Sequence, residues 1–245
     1  ASASVEESVK NPLKYYENNV GGTLNLLAAM SAKFVQTIVF SSSAAVYSPN
    51  DKDAVEETDP TVPLSPYGAT KLLSEELISS VGNAEKISHI SLRYFNVVGS
   101  AIPEFGDNSK DNLVPKVFLA LKNGKRPEIY GTDYPTPDGT CIRDYIHVHD
   151  LATAHVAALK NAESGFTSAI YNVGSGKGYS VREMMNQISQ TLGKDINPQE
   201  SPARAGDSPK LIASTKKIEQ ELGWRPTATL KEMIDSSWAA ESSNQ

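Results

Sequence analysis

An unbroken β-favouring run, Ile38-Val39-Phe40, and a second apolar strand over residues 89–94 flank a helix-period segment that opens at Pro66. The first run does not alternate apolar with polar side chains as a strand with one wet face would, so it is expected to be covered on two faces. Strands covered in this way occur where helices cross over a parallel sheet, and the segment between them is long enough to be that crossover. Pro66 suits a first helical turn because it has no N–H to leave unpaired. Leu73, Leu77, Ile78 and Val81 supply the apolar stripe, and Gly82 is the expected stop. Upstream, residues 15–32 follow a helical period through Val20, Leu24, Leu27, Ala28 and Ser31, and a buried strand over residues 37–42 comes next. Helix, strand, helix and strand in this rhythm define an α/β protein.

After Gly99 the texture changes. Residues 100–112 are polar, 113–121 helical, and 130–140, with Gly131, Pro135, Pro137 and Gly139, read as a loop. Residues 143–148 predict a strand, Asp150 caps a helix carrying Leu151, Ala154, His155, Ala158 and Leu159, and residues 169–173 predict another strand. Ser180-Val181-Arg182-Glu183 has the spacing of a capping box and opens a helix to about Leu192. Thr229-Leu230-Lys231-Glu232 repeats that signature for a last helix.

Within the crossover helix, Tyr67 and Lys71 are four residues apart and share a face. Tyrosine titrates near pH ~10, so it is a poor base at neutrality unless a nearby cation stabilises the phenolate. Ser43, the end of a serine run twenty-four residues upstream, adds a hydroxyl able to hold a reacting oxygen. Together these are parts for moving a proton off an alcohol. A net charge of −6 over 245 residues, with no basic stripe, argues against a nucleic acid partner. No apolar run approaches the roughly 20 residues that span a bilayer, so no membrane partner is expected. Cys141 is the only cysteine, which excludes an internal disulfide and fits a reducing, cytoplasmic compartment. Residues 1–7 lack the basic start and apolar stretch of a signal peptide.

These residues and their neighbours also carry a resemblance. The matching stretches are Pro12-Leu13-Lys14-Tyr15-Tyr16-Glu17-Asn18-Asn19-Val20, Phe40-Ser41-Ser42-Ser43-Ala44-Ala45-Val46-Tyr47, Ser65-Pro66-Tyr67-Gly68 and Arg93-Tyr94-Phe95-Asn96. A further stretch runs from Asp133-Tyr134-Pro135-Thr136 through Asp138-Gly139-Thr140 to Arg143-Asp144-Tyr145-Ile146-His147-Val148. From Ala1 to about Trp238 the chain closely resembles the UDP-galactose 4-epimerases of the extended short-chain dehydrogenase/reductase family. The resemblance implies the C-terminal portion of a Rossmann-like, doubly wound parallel sheet plus a smaller mixed α/β domain. Residues 1–98 and about 142–162 would form a partial NAD-binding domain, and about 99–141 and 163–245 a UDP-sugar-binding domain.

The same resemblance implies interconversion of UDP-galactose and UDP-glucose through a 4-keto sugar, with NAD as hydride carrier. Tyr67 would take the proton from the sugar 4-hydroxyl, Lys71 would lower the Tyr67 pKa and bind the nicotinamide ribose, and Ser43 would hold the reacting oxygen. Ser41, Ser42, Asn18 and Tyr94 are implied around the cofactor, with Tyr94 packed on the nicotinamide. Asn96, Asn112, Leu113, Tyr130, Tyr145 and Asp207 are implied at the UDP-sugar, with Arg143 and Arg204 gripping its diphosphate through their fixed charged forks. Ala44 and Ala45 stand where related 4,6-dehydratases place an acidic pair, and two alanines cannot eliminate water. Leu211 falls where relatives carry either a bulky tyrosine or a small residue, which leaves N-acetylated sugars open. The alternatives are a pentose or uronate epimerase, or a non-catalytic binding protein. The implied enzyme is a homodimer or pairs with a complementing N-terminal fragment.

Three features are set aside. His147 and His149, two apart on an expected strand, share a face but have no third ligand, so no metal is expected. Gly174-Ser175-Gly176-Lys177-Gly178 lacks phosphate-loop spacing and reads as a strand-to-helix turn. Cys141 has no histidine partner nearby. The glycine-rich dinucleotide fingerprint that should precede these motifs is not in the sequence. The strand over residues 37–42 is therefore expected to expose an apolar edge, and residues 1–245 alone to bind NAD weakly.

Overall fold

The computed structural model describes residues 1–48, 52–109, 111–204 and 207–243. Helix α1 (Val5–Lys10) leads into α2 (Pro12–Tyr15), a π turn (Tyr16–Gly21) and α3 (Gly22–Ala32), followed by strand β1 (Thr37–Ser41). The junctions between α2, the π turn and α3 keep right-handed helical dihedrals, so the three are one continuous rod. The face it buries is not the expected stripe. Tyr15, Asn19, Thr23, Leu27 and Met30 point inward, while Leu24 is 53% exposed and Ala28 lies on the outside. The reason is the neighbour. Asn19 donates to Thr70 Oγ1 at 3.0 Å and Thr23 Oγ1 to Ser74 Oγ at 3.3 Å, so a seam of small polar groups joins the rod to the crossover helix.

That crossover is α4 (Pro66–Glu85), capped by Ser65 Oγ, which accepts from the Gly68 N–H at 3.1 Å. It runs past Gly82 to a left-handed cap at Lys86. Gly82 serves packing instead, because a methyl group there would overlap the His89 ring. Leu73, expected in the buried stripe, is 42% exposed, whereas Ile78 is fully buried. Next come β2 (Ser88–Tyr94), β3 (Asn96–Val98), α5 (Leu113–Lys122), β4 (Glu128–Tyr130), β5 (Ile142–His147), α6 (Val148–Glu163) and β6 (Ser168–Val173). The chain continues through β7 (Gly178–Ser180), α7 (Val181–Leu192), β8 (Gln199–Ser201), β9 (Lys210–Leu211), α8 (Lys216–Leu222) and α9 (Leu230–Ser243).

One sheet has the order β1-β2-β6, all parallel, with Thr37 opposite Ser88 and His89 opposite Ser168. As the edge of this sheet, β1 is half-buried along its length rather than fully covered. A second sheet is centred on β5, which pairs in parallel with β3 and β9 and antiparallel with β7. Thus β6 pairs within the first sheet and β5 within the second. The short run from β2 through Phe95 to β3 carries the chain from one sheet to the other. One core packs β2 and β6 against α6 and α8, and another packs α5, α7 and α9 around Tyr145 and Ile129.

Three local readings change. His147, not Asp150, caps α6: its Nδ1 accepts from the His149 N–H at 3.0 Å. His149 is thus helical, and the two histidines do not share a strand. Asp150 uses its carboxylate to accept from the Thr227 and Ala228 N–H groups at 3.0 and 2.9 Å, tying α6 to the approach of α9. The glycine-rich segment 174–178 joins strand to strand, β6 to β7. Both capping boxes are present: Ser180 with Glu183, and Thr229 with Glu232.

Candidate active site

Ser43 leaves β1 in extended conformation and caps a single 3-10 turn, Ala44–Val46, accepting from the Ala45 N–H at 3.1 Å. The α4 helix packs against that turn so closely that Gly68 has no room for a methyl group beside the Ala45 carbonyl. This contact brings Tyr67 to Ser43. Both are buried. Burial pushes the Tyr67 hydroxyl up, and its hydrogen bond with Ser43 acts in the opposite sense. Lys71, one turn on, is also buried; desolvation brings its ammonium down to about 8, against the opposing pull of Glu75. Its Nζ donates to the Ser41 carbonyl at 2.7 Å and lies 5.9 Å from the Tyr67 ring centre. Burial is the larger influence on Tyr67 in this structure, and one Lys71 N–H is engaged by the end of β1.

The other residues expected at the cofactor separate. Ser41 Oγ pairs with His155 Nε2 at 2.8 Å, while His155 Nδ1 contacts the Leu151 carbonyl at 2.9 Å. Tyr94, at the end of β2, is pushed up to about 12 by burial and by Tyr67 beside it. Ser42 is fully buried and gives its hydroxyl to Glu75, so that side chain is not free for a ligand. Asn18 is exposed and donates to Ser2 Oγ at 3.1 Å; Asn19, next to it, is the one that turns toward α4. Ser41, Lys71, Tyr67 and Tyr94 gather at the carboxyl ends of β1 and β2, where parallel α/β sheets bind their ligands. An ammonium with three N–H groups, a buried phenol and a half-buried aromatic ring there suit a nicotinamide riboside.

A cavity of about 680 Å³ adjoins β3, β5 and the start of α5. It brings together Asn96, Asn112, Leu113, Tyr130, Arg143, Tyr145, Arg204 and Asp207. Asn96 is fixed by donating to the Asp144 carbonyl at 2.9 Å. Asn112 stands at the N-cap of α5 without making a capping bond; its amide donates to Asp107 Oδ2 at 2.7 Å. The first amides of α5 thus keep their affinity for an anion. Arg143 lies 3.7 Å from Asp207, and the Arg204 guanidinium sits 3.7 Å over the Tyr130 ring centre. Burial raises the Tyr145 hydroxyl. Leu211 packs against the cluster containing Ala44 and Phe95. Ala205 and Gly206 lie outside the described residues.

Sequence reasoning missed several parts. Cys141 lines the cavity, and Asp144 ties β5 to the segments around it. The buried Asp144 carboxylate, raised to about 6 by burial, accepts from the Ser175, Gly176 and Ala213 N–H groups at 2.7, 3.0 and 3.1 Å. Glu75 and Arg93 form a buried pair, with Arg93 Nη2 2.7 Å from Glu75 Oε2. A charge inside an apolar strand was the available signal, since a buried arginine requires a partner. Among the described residues no metal-binding cluster occurs, and no helix is long and apolar enough to cross a membrane.

A serine, tyrosine and lysine gathered at the carboxyl end of a parallel sheet are the arrangement of the dehydrogenase/reductase class of α/β protein. The model of the NAD dependent epimerase/dehydratase family matches residues 1–174. The UDP-glucose 4-epimerase of Lacticaseibacillus casei is 41% identical over 244 residues, covering 97% of this chain and 73% of the relative. A crystal structure of the Stenotrophomonas maltophila UDP-glucose-4-epimerase with bound NAD and formylated UDP-arabinopyranose superposes with a TM-score of 0.95 at 36% identity, over 100% of this chain and 74% of that one. The Bifidobacterium longum UDP-glucose 4-epimerase in complex with NAD⁺ and UDP gives a TM-score of 0.91 at 38% identity, over 100% and 75%. The chain belongs to the NAD dependent epimerase/dehydratase family.

Proposed function

We propose that this chain interconverts UDP-galactose and UDP-glucose with NAD. The observation that carries the proposal is the cavity that holds both arginines and the uncapped start of α5, in a chain that also pairs a buried Ser43 with Tyr67. The names of the relatives support it. NAD, when bound, supplies the hydride acceptor and donor. Tyr67 exchanges a proton with the sugar 4-hydroxyl, and Ser43 orients that oxygen. Lys71 supplies positive charge beside the cofactor ribose, and Tyr94 a face for the nicotinamide. Arg143 and Arg204 anchor the diphosphate, so the hexose can present either face to the same base. Ala44 and Ala45 offer no carboxylate, which leaves no acid to drive elimination. We assign the cofactor side to the β1-β2-β6 sheet and the UDP-sugar side to the β5-centred sheet.

The partners in this proposal are the UDP-sugar, a second copy of the chain, and a further strand beside β1. Among the described residues β1 has a hydrogen-bonded neighbour on one side only. A buried single cysteine suits a cytoplasmic setting. The test is turnover of a panel of UDP-hexoses, UDP-pentoses and N-acetylated UDP-sugars with added NAD. UDP-galactose should convert fastest, and Tyr67→Phe should lower kcat roughly 10²–10⁴-fold. If the chain binds both NAD and UDP yet converts no UDP-hexose, the proposal is wrong.

A further inference from the structure

We infer that Glu75, with Arg93, is the positioning residue of the active site: it anchors the serine segment at the end of β1 and sets a buried carboxylate one helical turn from Lys71. This deepens the epimerase reading and rests on it.

Glu75 lies one turn beyond Lys71 on α4 and is buried, as is Arg93. Arg93 grips its carboxylate through two nitrogens, Nε at 3.0 Å from Oε1 and Nη2 at 2.7 Å from Oε2. Such a fork leaves the carboxylate no freedom to turn. Its Oε1 also accepts the Ser42 hydroxyl. Ser42 sits between Ser41, whose carbonyl takes the Lys71 ammonium, and Ser43, which meets Tyr67. One carboxylate therefore fixes the middle of a three-residue segment whose flanking members touch the lysine and the tyrosine.

The charged and titratable surroundings are few. From β2, Arg93 faces Glu75 and also donates to the Tyr47 hydroxyl at 3.0 Å. Tyr47 passes on to Asn172 of β6 at 2.7 Å, whose N–H donates to Glu57 at 2.7 Å. From α6, His155 reaches only Ser41 and its own helix. The Tyr67 phenol faces Lys71 from the same helix, its ring centre 5.9 Å from Nζ, with Tyr94 of β2 beside Tyr67, and Glu75 is the carboxylate that favours the ammonium against burial. Arg93 balances the Glu75 charge without reaching Lys71. A hydrophobic pair of the same volume would pack here as well. It would hold neither Ser42 nor the lysine proton.

The experiment titrates Lys71 by NMR in the intact chain carrying ¹³C-labelled lysine side chains, a readout that needs no turnover. In Glu75→Gln the Lys71 midpoint should fall by roughly one to three units, because an opposite charge has been removed. In Ser42→Ala, which leaves the ion pair intact, the midpoint should hold and kcat should fall roughly 10- to 100-fold with KM unchanged. Glu75→Asp keeps a carboxylate for Arg93, and so remains foldable where Glu75→Gln does not. It should restore the Lys71 midpoint while showing the kcat loss of Ser42→Ala. A folded Glu75→Gln with the wild-type Lys71 midpoint overturns the inference, as does a Ser42→Ala or Glu75→Asp enzyme of wild-type kcat. An inactive wild-type chain would instead sink the epimerase reading, and the Lys71 titration would still decide the role of Glu75.

Discussion

Lys71 is held in the site against its own solvation. Burial brings its folded value down to about 8, whereas the exposed value is 10.5. Between these pH values the unfolded chain binds a proton that the folded chain has released, so stability rises with pH. The contribution is complete above 10.5 and is lost as pH falls through 8. The buried tyrosines act in the other direction: burial raises Tyr47, Tyr67 and Tyr94, so their contribution is present below 10 and fades above it. The window from 8 to 10 therefore isolates Lys71. Urea unfolding should show a gain of about 2 kcal/mol across it, from the pKa difference alone. Lys71→Met should abolish that slope, be more stable than wild type at pH 7, and lose activity. A slope that survives the substitution would place the titrating group elsewhere. The Tyr67–Lys71 spacing was legible in sequence because a helix dictates it. The Lys71–Ser41 contact was not, because it depends on how α4 lies across β1.

The docking of α4 on the turn after β1 is decided at Gly68. Any side chain there meets the Ala45 carbonyl, which is backbone and cannot yield. Gly68→Ala should push the start of α4 outward and separate Tyr67 from Ser43. Because a misplacement of about 1 Å costs on the order of 10²-fold in rate, kcat should fall by that factor. The melting midpoint, set mainly by the large cores, should move far less. A Gly68→Ala chain with wild-type kcat would show that the contact relaxes without consequence. At this scale β1, β2, β5, β6, α4 and both capping boxes were readable, since local patterns fix them, whereas the two- and three-residue strands β3, β4, β7, β8 and β9 are too short to leave a pattern. The rod of α2, the π turn and α3 was misread because its inward face is polar. Asn19 and Thr23 find hydroxyls on α4, and no apolar periodicity records such a seam. Asp150 was misassigned for a related reason: its partners, Thr227 and Ala228, lie far along the chain and outcompete local capping.

At the scale of the whole molecule, the β2–β3 run spans both sheets and so sets Tyr94 beside Tyr67 and Asn96 beside the cavity. The cavity residues come from β3, β4, β5, α5 and the segment before β9, and only the family resemblance could gather such scattered positions. What neither pattern nor resemblance located is the surface that remains uncovered. Val9 on α1 and Leu13 and Leu24 on the rod of α2, the π turn and α3 are 63, 76 and 53% exposed, and Leu73 on the adjoining α4 is exposed too. Single exposed leucines are ordinary, but the second copy proposed above can pack on apolar side chains of adjoining helices such as these. A stable dimer would bury about 800 Å² on each copy, which two helices pressed against two can supply. Sedimentation of the chain should therefore report a dimer at micromolar concentration. Leu13→Glu combined with Leu24→Glu should convert it to monomer while shifting the stability of that monomer by no more than about 0.5 kcal/mol per site, because neither side chain is buried within the protomer. A wild-type chain that sediments as monomer, or a double variant that remains dimeric, would move the interface off this face and leave the open edge of β1 as the surface to test next.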